Sequence, residues 1–368
     1  MTMSKIRFIH SKFPDPEMAA PRIEKRLSKH LQRLQERKAK QTGETSQAIP
    51  EDDASPGQTK SQFYLHQARR RVARRAGLIS ERYRASLPIS RLKLEDRKRL
   101  EARRDGVQLV QIKSENHADE IAARLHAEFP WLAIATEQVW HSMLSAVRSD
   151  TQGLRIRPLL LDGPPGIGKS AWARRLASLM GVPNLFLDAT VESASFGLVG
   201  SQRGWSNSAP GRLINLFLEH GVGNPLVIID EVEKAGKPTS QGGHTFNLLN
   251  ALLPLFELQS ARRWSCPYFQ VECDMSWIGW ILTSNDWRQL PDPILSRCPP
   301  IRLQPISAKD LCGFAMREAS ERGLSDETAE AICDTIAWAF TKEHRLDLRA
   351  IIRMLERGER LEQRSARN

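Results

Sequence analysis

Gly163-Pro164-Pro165-Gly166-Ile167-Gly168-Lys169-Ser170 constrains this chain more than any other segment. The eight residues fit the spacing G-x-x-x-x-G-K-[ST], and their flanks supply the context that spacing needs. Arg157-Pro158-Leu159-Leu160-Leu161 leads into them and reads as a buried strand over 157–162. Ala171 to Met180 follows and reads as a helix, with Gly181 and Pro183 as its stop signal. A strand, a glycine-rich turn and a helix N-terminus bring converging N–H groups and the positive end of a helix dipole to one point. That is an anion site. In such a loop Lys169 reaches the β- and γ-phosphates of a nucleoside triphosphate, and the Ser170 hydroxyl ligates Mg²⁺.

A second segment completes the chemistry. Pro225-Leu226-Val227-Ile228-Ile229-Asp230-Glu231 is an apolar run that ends in two acids. Parallel strands buried on both faces read as continuous apolar runs, and their C-terminal ends carry ligand sites. Asp230 is expected to hold Mg²⁺ with Ser170, leaving Glu231 to orient and polarise an attacking water. Phosphoryl transfer depends mainly on positioning and charge stabilisation, so this division of roles is physically sufficient.

The chain has 368 residues, 40% of them apolar and 26% charged, enough for two or three domains. No apolar run approaches the roughly 18 residues of a membrane-spanning helix. Met1 to His10 lacks the apolar core of a signal peptide. The five cysteines (266, 273, 298, 312 and 333) have neither C-x-x-C spacing nor a histidine cluster. Reduced thiols and a cytoplasmic location are expected, without a membrane. Charge is uneven. Residues 1–110 hold 26 Lys and Arg against 13 Asp and Glu, a net of +13, which leaves −2 for the remainder of the stated +11.

Four regions follow. Residues 1–110 form a basic, mainly helical or partly disordered region. Its helices fall over 16–40, with Ile23, Leu27, Leu31 and Leu34 at helical spacing, and over 63–105; a flexible linker lies at 41–62. Residues 111–150 are a helical lead-in broken near Pro130. Residues 151–305 alternate strand and helix (157–162, 170–180, 184–189, 211–220, 225–230, 244–253, 277–284), the pattern of an α/β domain with a parallel sheet and flanking helices. Residues 306–368 read as a small α-helical lid with helices at 307–323, 325–343 and 347–365.

These motifs, in this order, resemble the AAA+ branch of the P-loop nucleoside triphosphatases over about 151–360. The resemblance implies ATP as the nucleotide and further roles. Ile281-Leu282-Thr283-Ser284-Asn285 is similar to the sensor-1 strand, whose asparagine, here Asn285, contacts the γ-phosphate or the lytic water. Leu295-Ser296-Arg297 stands where the family has an arginine finger that reaches the ATP of a neighbouring subunit. Asp347-Leu348-Arg349 resembles the sensor-2 segment, with Arg349 linking nucleotide state to lid angle. The stretch 200–212, GSQRGWSNSAPGR, is similar to the ATPase module of Lon protease, where a pore-loop aromatic precedes a Pro-Gly-Arg. Trp205 takes that aromatic's place, with a partly buried packing role as the alternative. Arg262-Arg263-Trp264 lies where a second pore loop is expected.

The resemblance therefore implies a homo-oligomeric ring, a hexamer, that couples ATP hydrolysis to remodelling or translocation of a protein substrate. No peptidase activity of its own is expected, since the sequence reaches Asn368 just after the lid. A competing resemblance comes from Pro293-Ile294-Leu295-Ser296-Arg297-Cys298, close to the Ser-Arg-Cys box of clamp-loader subunits. It leaves open a DNA- or RNA-associated ATPase with 1–110 as the binding arm. Solvated helix faces or a disordered tail also account for the basic tract, and a nucleotide-dependent switch of low turnover is a third reading.

Overall fold

The computed structural model describes residues 4–42, 56–149, 151–191, 195–204, 208–235 and 247–365. Five parallel strands form the central sheet: Leu159–Asp162, Asn184–Asp188, Leu226–Asp230, Gly279–Ser284 and Pro300–Arg302. Their spatial order is 300–302, 159–162, 279–284, 226–230, 184–188. The architecture is the expected one, a parallel sheet with flanking helices followed by a helical lid. The middle strand is buried along its whole length, and Leu226 to Ile229 are buried beside it, as an interior parallel sheet requires. The first strand begins at Leu159 rather than 157, because Pro158 has no N–H to give the ladder.

Register sets what meets at the sheet's C-terminal edge. Asp162 lies opposite Ser284, Ile229 opposite Leu282, and Asp188 opposite Asp230. Extended by one residue, this register places Thr283, Asp230 and Asp188 in one row, with Asp162 and Ser284 in the next row of the same edge.

The lead-in helices Glu115–Glu128 and Ala133–Arg148 are separated by a 3₁₀ turn at Pro130–Leu132. They pack on the helix Lys169–Met180. Trp172 is fully buried and donates its indole N–H to the Thr136 hydroxyl at 3.0 Å, while Arg175 pairs with Glu128 at 2.7 Å. The lid comprises Ala308–Arg322, Asp326–Thr341 and Leu348–Ser365. Ser307 and Ser325 cap the first two through their hydroxyls, and Gly323 ends the first in the left-handed region at φ 69°. Glu362 accepts from the Ser325 hydroxyl at 2.6 Å and from the Thr328 hydroxyl, tying the last helix to the start of the middle one.

The chain divides into two compact units, 4–10 with 103–365 and 11–102. The division differs from a boundary at 110. Lys5–Ile6 pairs antiparallel with Val107–Gln108, and Ile9–His10 joins a three-stranded sheet with Glu272–Cys273 and Trp264–Ser265. Between these pairs Phe8 is fully buried and stacks on Phe217 with ring centroids 4.6 Å apart. The short alternation KIRFIH has too few residues to stand out as a strand in sequence.

Residues 11–102 contain the helices Ala20–Thr42, Pro56–Ser86 and Leu94–Glu101. Of the expected linker 41–62, residues 43–55 lie outside the described residues, and 56–62 are helical. Ile23 is buried but Leu34 is 47% exposed, so the apolar stripe of the first helix is covered only near its start. Among the described residues no helix is long and apolar enough to cross a membrane.

Phe8→Ala removes a fully buried ring and should destabilise the nucleotide-binding unit by roughly 3–5 kcal/mol. Deleting 11–102 with a short linker should leave that unit folded. Chemical denaturation of both variants checks the assignment of residues 4–10; an unchanged midpoint for Phe8→Ala contradicts it.

Candidate functional site

The loop between Asp162 and Lys169 turns through two glycines with positive φ, Gly166 at 76° and Gly168 at 87°. A Cβ at Gly166 would stand 2.3 Å from Asp347 Oδ2, so both backbone conformation and space demand glycine there. Gly168 is the N-cap of the helix Lys169–Met180 and makes no side-chain cap, which leaves the first N–H groups of that helix facing the cleft. Lys169 is buried, and its ammonium donates to Gly163 O at 2.6 Å, Pro164 O at 2.9 Å and Asn285 Oδ1 at 3.0 Å. Burial lowers the Lys169 pKa, opposed by the nearby carboxylates Asp230, Glu233, Asp162 and Glu231. An entering polyanion would favour the charged form and compete for its three donors.

The second half of the site is built on the strand Leu226–Asp230. Asp230 Oδ1 accepts from the Ser170 hydroxyl at 2.6 Å and from the Thr283 hydroxyl. Thr283 in turn accepts the Glu231 N–H at 3.1 Å. Glu231 has φ 50°, a left-handed conformation that costs a non-glycine residue free energy and is held here by the strand behind it and the turn ahead. Its carboxylate pairs with Lys234 at 2.6 Å and accepts from Asn285 Nδ2 at 3.4 Å. Asn285 is fixed from its other side, its N–H donating to Glu233 Oε1 at 3.0 Å. The other Glu233 oxygen is buried with no hydrogen-bond partner among the described residues.

Lys169, Ser170, Asp230, Glu231, Asn285 and Arg349 thus line one cleft of about 290 Å³, with Gly166, Arg174 and Thr283. Arg349 reaches it from the lid helix Leu348–Ser365. The lid is tied to the loop directly: Leu348 N–H donates to Gly166 O at 3.1 Å, and Trp131 of the lead-in donates to Ile167 O at 2.8 Å. The donor set fits a divalent cation and a polyphosphate. Two hydroxyls and a carboxylate are hard oxygen ligands, and Mg²⁺ in such sites takes one or two protein carboxylates with phosphate oxygens completing its shell.

Arg297 does not line this cleft. It is exposed on the short helix Asp292–Arg297, donating to Pro293 O at 3.0 Å with Glu257 3.6 Å away. Trp205 lies outside the described residues. The expected second pore loop is not available as an exposed aromatic: Trp264 is buried in the three-stranded sheet, and Arg263 pairs with Glu272 at 3.0 Å. Trp264 is paired with the buried Cys273 in that sheet.

Sequence reasoning passed over four residues of the site. Thr283 was visible only as part of an apolar strand, and Glu233 only as the second acid of Glu231-x-Glu233. Arg174 stacks over the Phe186 ring at 4.1 Å and looks in sequence like any helix cation. Asp347 caps the last helix, accepting the Ala350 N–H at 2.8 Å, and its contact with Gly166 spans 181 positions of sequence.

Gly166→Ala should therefore weaken nucleotide binding at least about fivefold, since a left-handed non-glycine residue is strained by roughly 1 kcal/mol or more and its methyl group displaces Asp347. Calorimetric titration with nucleotide and a melting curve check this; parent-like values in both contradict it.

Residues 159–306 match the model of the AAA family, ATPase family associated with various cellular activities. Among curated proteins, the peroxisomal Lon protease homolog 2 of Arabidopsis thaliana is 28% identical over 67% of this chain and 27% of its own length. The mitochondrial Lon protease homolog of Rattus norvegicus is 29% identical over 55% of this chain and 21% of its own. The chain thus spans about a quarter of the length of these relatives. Among solved structures, a chain of the S. cerevisiae Hsp104:casein complex in its extended conformation gives a TM-score of 0.47 at 18% identity, covering 61% of this chain and 44% of that one, a likeness that carries no weight by itself. Residues 159–306 are thus similar to the AAA ATPases, and the chain as a whole is similar to part of the Lon proteases.

Proposed function

We propose that the chain is a Mg²⁺-dependent ATPase that assembles into a ring, most simply a hexamer, and uses hydrolysis to remodel or thread a protein substrate. The observation that supports the ATPase reading best is the oxygen cluster of Ser170, Asp230 and Thr283 beside Lys169, with Glu231 held next to it in a strained conformation. Kinship with Lon proteases supports protein as the substrate. The free thiols among the described cysteines suit a reducing compartment such as the cytoplasm.

In this reading the helix N-terminus and Lys169 bind the phosphates, and Ser170 and Asp230 hold the metal. Bound Mg²⁺ supplies neutralisation of charge on the phosphate oxygens. Glu231 orients and polarises water, which requires its carboxylate to be free of Lys234. Asn285 lies between Lys169 and Glu231, within hydrogen-bonding distance of each, and so senses the terminal phosphate through both. Arg349 faces the cleft from the lid. Arg297, exposed and away from its own cleft, acts on the nucleotide of an adjacent subunit, and Trp205 grips the substrate in the pore.

Glu231→Gln should keep nucleotide affinity while turnover falls at least about a hundredfold, the low end of what a positioned base contributes. Lys169→Ala should lose affinity instead. Phosphate release and calorimetry separate the two, and a Glu231→Gln enzyme that hydrolyses ATP at the parent rate would sink the assignment.

Arg297→Ala and Lys169→Ala should each be inactive alone, yet mixed assemblies should recover part of the activity, because some interfaces join an intact loop to an intact finger. No recovery in assemblies shown to be mixed argues against action across subunits.

A further inference from the structure

Among the described residues of the helix Pro56–Ser86, 66–86 contain seven arginines, no lysine and one acid, Glu81. Helical geometry, at about 100° per residue, sorts these side chains sharply. Ala76 and Ser80 are buried and mark the face turned toward the helix Ala20–Thr42, against which this helix packs. Arg70, Arg71, Arg74, Arg75 and Arg82 fall within an arc of about 140° on the opposite side, over roughly 18 Å of axis. All five are exposed, and none has a side-chain partner among the described residues. Glu81 shares the arc and leaves it a net charge of +4.

Five like charges held this close repel one another, and no ion pair among the described residues offsets them. We propose that this arginine face binds the phosphate backbone of nucleic acid. Three features favour that partner. The cations are all arginine, whose planar guanidinium pairs two N–H groups with a phosphate; a face needing charge for solubility alone has no use for that geometry. Duplex DNA carries one charge per about 1.7 Å of axis, so 18 Å of helix faces roughly ten phosphates, enough for every arginine in the arc. A membrane surface fits poorly, because an interfacial helix needs an exposed apolar face beside its cations. Here the apolar face is packed, and Leu78 is the one large apolar residue exposed within the arc. The inference concerns residues 11–102 alone and does not rest on the ATPase reading.

The test is equilibrium binding of the full chain to a fluorescent 30-base-pair DNA duplex and to a 30-nucleotide RNA across salt concentrations. With five phosphates engaged on the duplex, affinity should fall roughly 500-fold between 50 and 200 mM salt. Replacing Arg70, Arg71, Arg74, Arg75 and Arg82 together with Gln should weaken binding at least tenfold at 50 mM and flatten the logarithmic salt slope by about 4.5. The five-Lys variant should keep most of the affinity and the slope. Melting curves matching the parent's show that both variants are folded; if the five-Gln chain melts early, the pair Arg71→Gln and Arg75→Gln replaces it, with an expected slope change of about 2. Parent-like binding by the Gln variants overturns the proposal, as does absence of binding to either nucleic acid at 50 mM. Equal or tighter binding to polyglutamate, or to vesicles of phosphatidylserine and phosphatidylcholine, also overturns it by making the partner a protein or a membrane.

Discussion

The site depends on one carboxylate. Asp230 ends a buried strand, and its Oδ1 accepts from hydroxyls on two different elements, Ser170 at the start of a helix and Thr283 on the neighbouring strand. A carboxylate at the edge of an apolar sheet is costly to desolvate unless hydrogen bonds compensate it. Those two hydroxyls compensate it and at the same time fix the distance between the phosphate loop and the strand end. Thr283 then carries the constraint onward by accepting the Glu231 N–H, which helps hold Glu231 in its left-handed conformation. Shifting the register between 226–230 and 279–284 by one residue would turn Thr283 to the other face of the sheet and dissolve the arrangement.

Much of this arrangement is legible in the sequence. Lys169, Ser170, Asp230, Glu231 and Asn285 all meet in one cleft, because each sits at a strand end or helix start that the apolar runs announce, and in a parallel sheet those ends share an edge. The three lid helices were equally plain, since serine caps and a terminal glycine bracket the first two. What stayed hidden depends on contacts between distant segments. Nothing local marks Asp347 as the neighbour of Gly166, or Trp131 as the donor to the phosphate loop. Arg262-Arg263-Trp264 misled because position relative to a motif says nothing of burial, and Trp264 turned out to belong to a sheet completed by residues 9 and 10.

That small sheet also explains why charge was a poor guide to the domain boundary. Residues 4–10 are basic like the segment after them, yet Phe8 and Ile9 are buried to within about 1% exposure, and burial decides which unit a segment belongs to. Charge described the surface of 11–102 faithfully, where its helices carry arginine faces over a thin apolar stripe.

The hydrogen bond from Leu348 to Gly166 gives the last helix an unusual mechanical position. Its first residue is fixed to the loop that would cradle phosphate, and the helix of 18 residues, about 27 Å long, extends away from that anchor. Such a helix is a lever with its fulcrum at the nucleotide. A rotation of only ~10° at the anchored end displaces the far end by about 5 Å on that length. Glu362, one turn from that far end, is bonded to the cap of the middle lid helix, so the displacement is passed to the whole lid rather than lost in one fraying terminus.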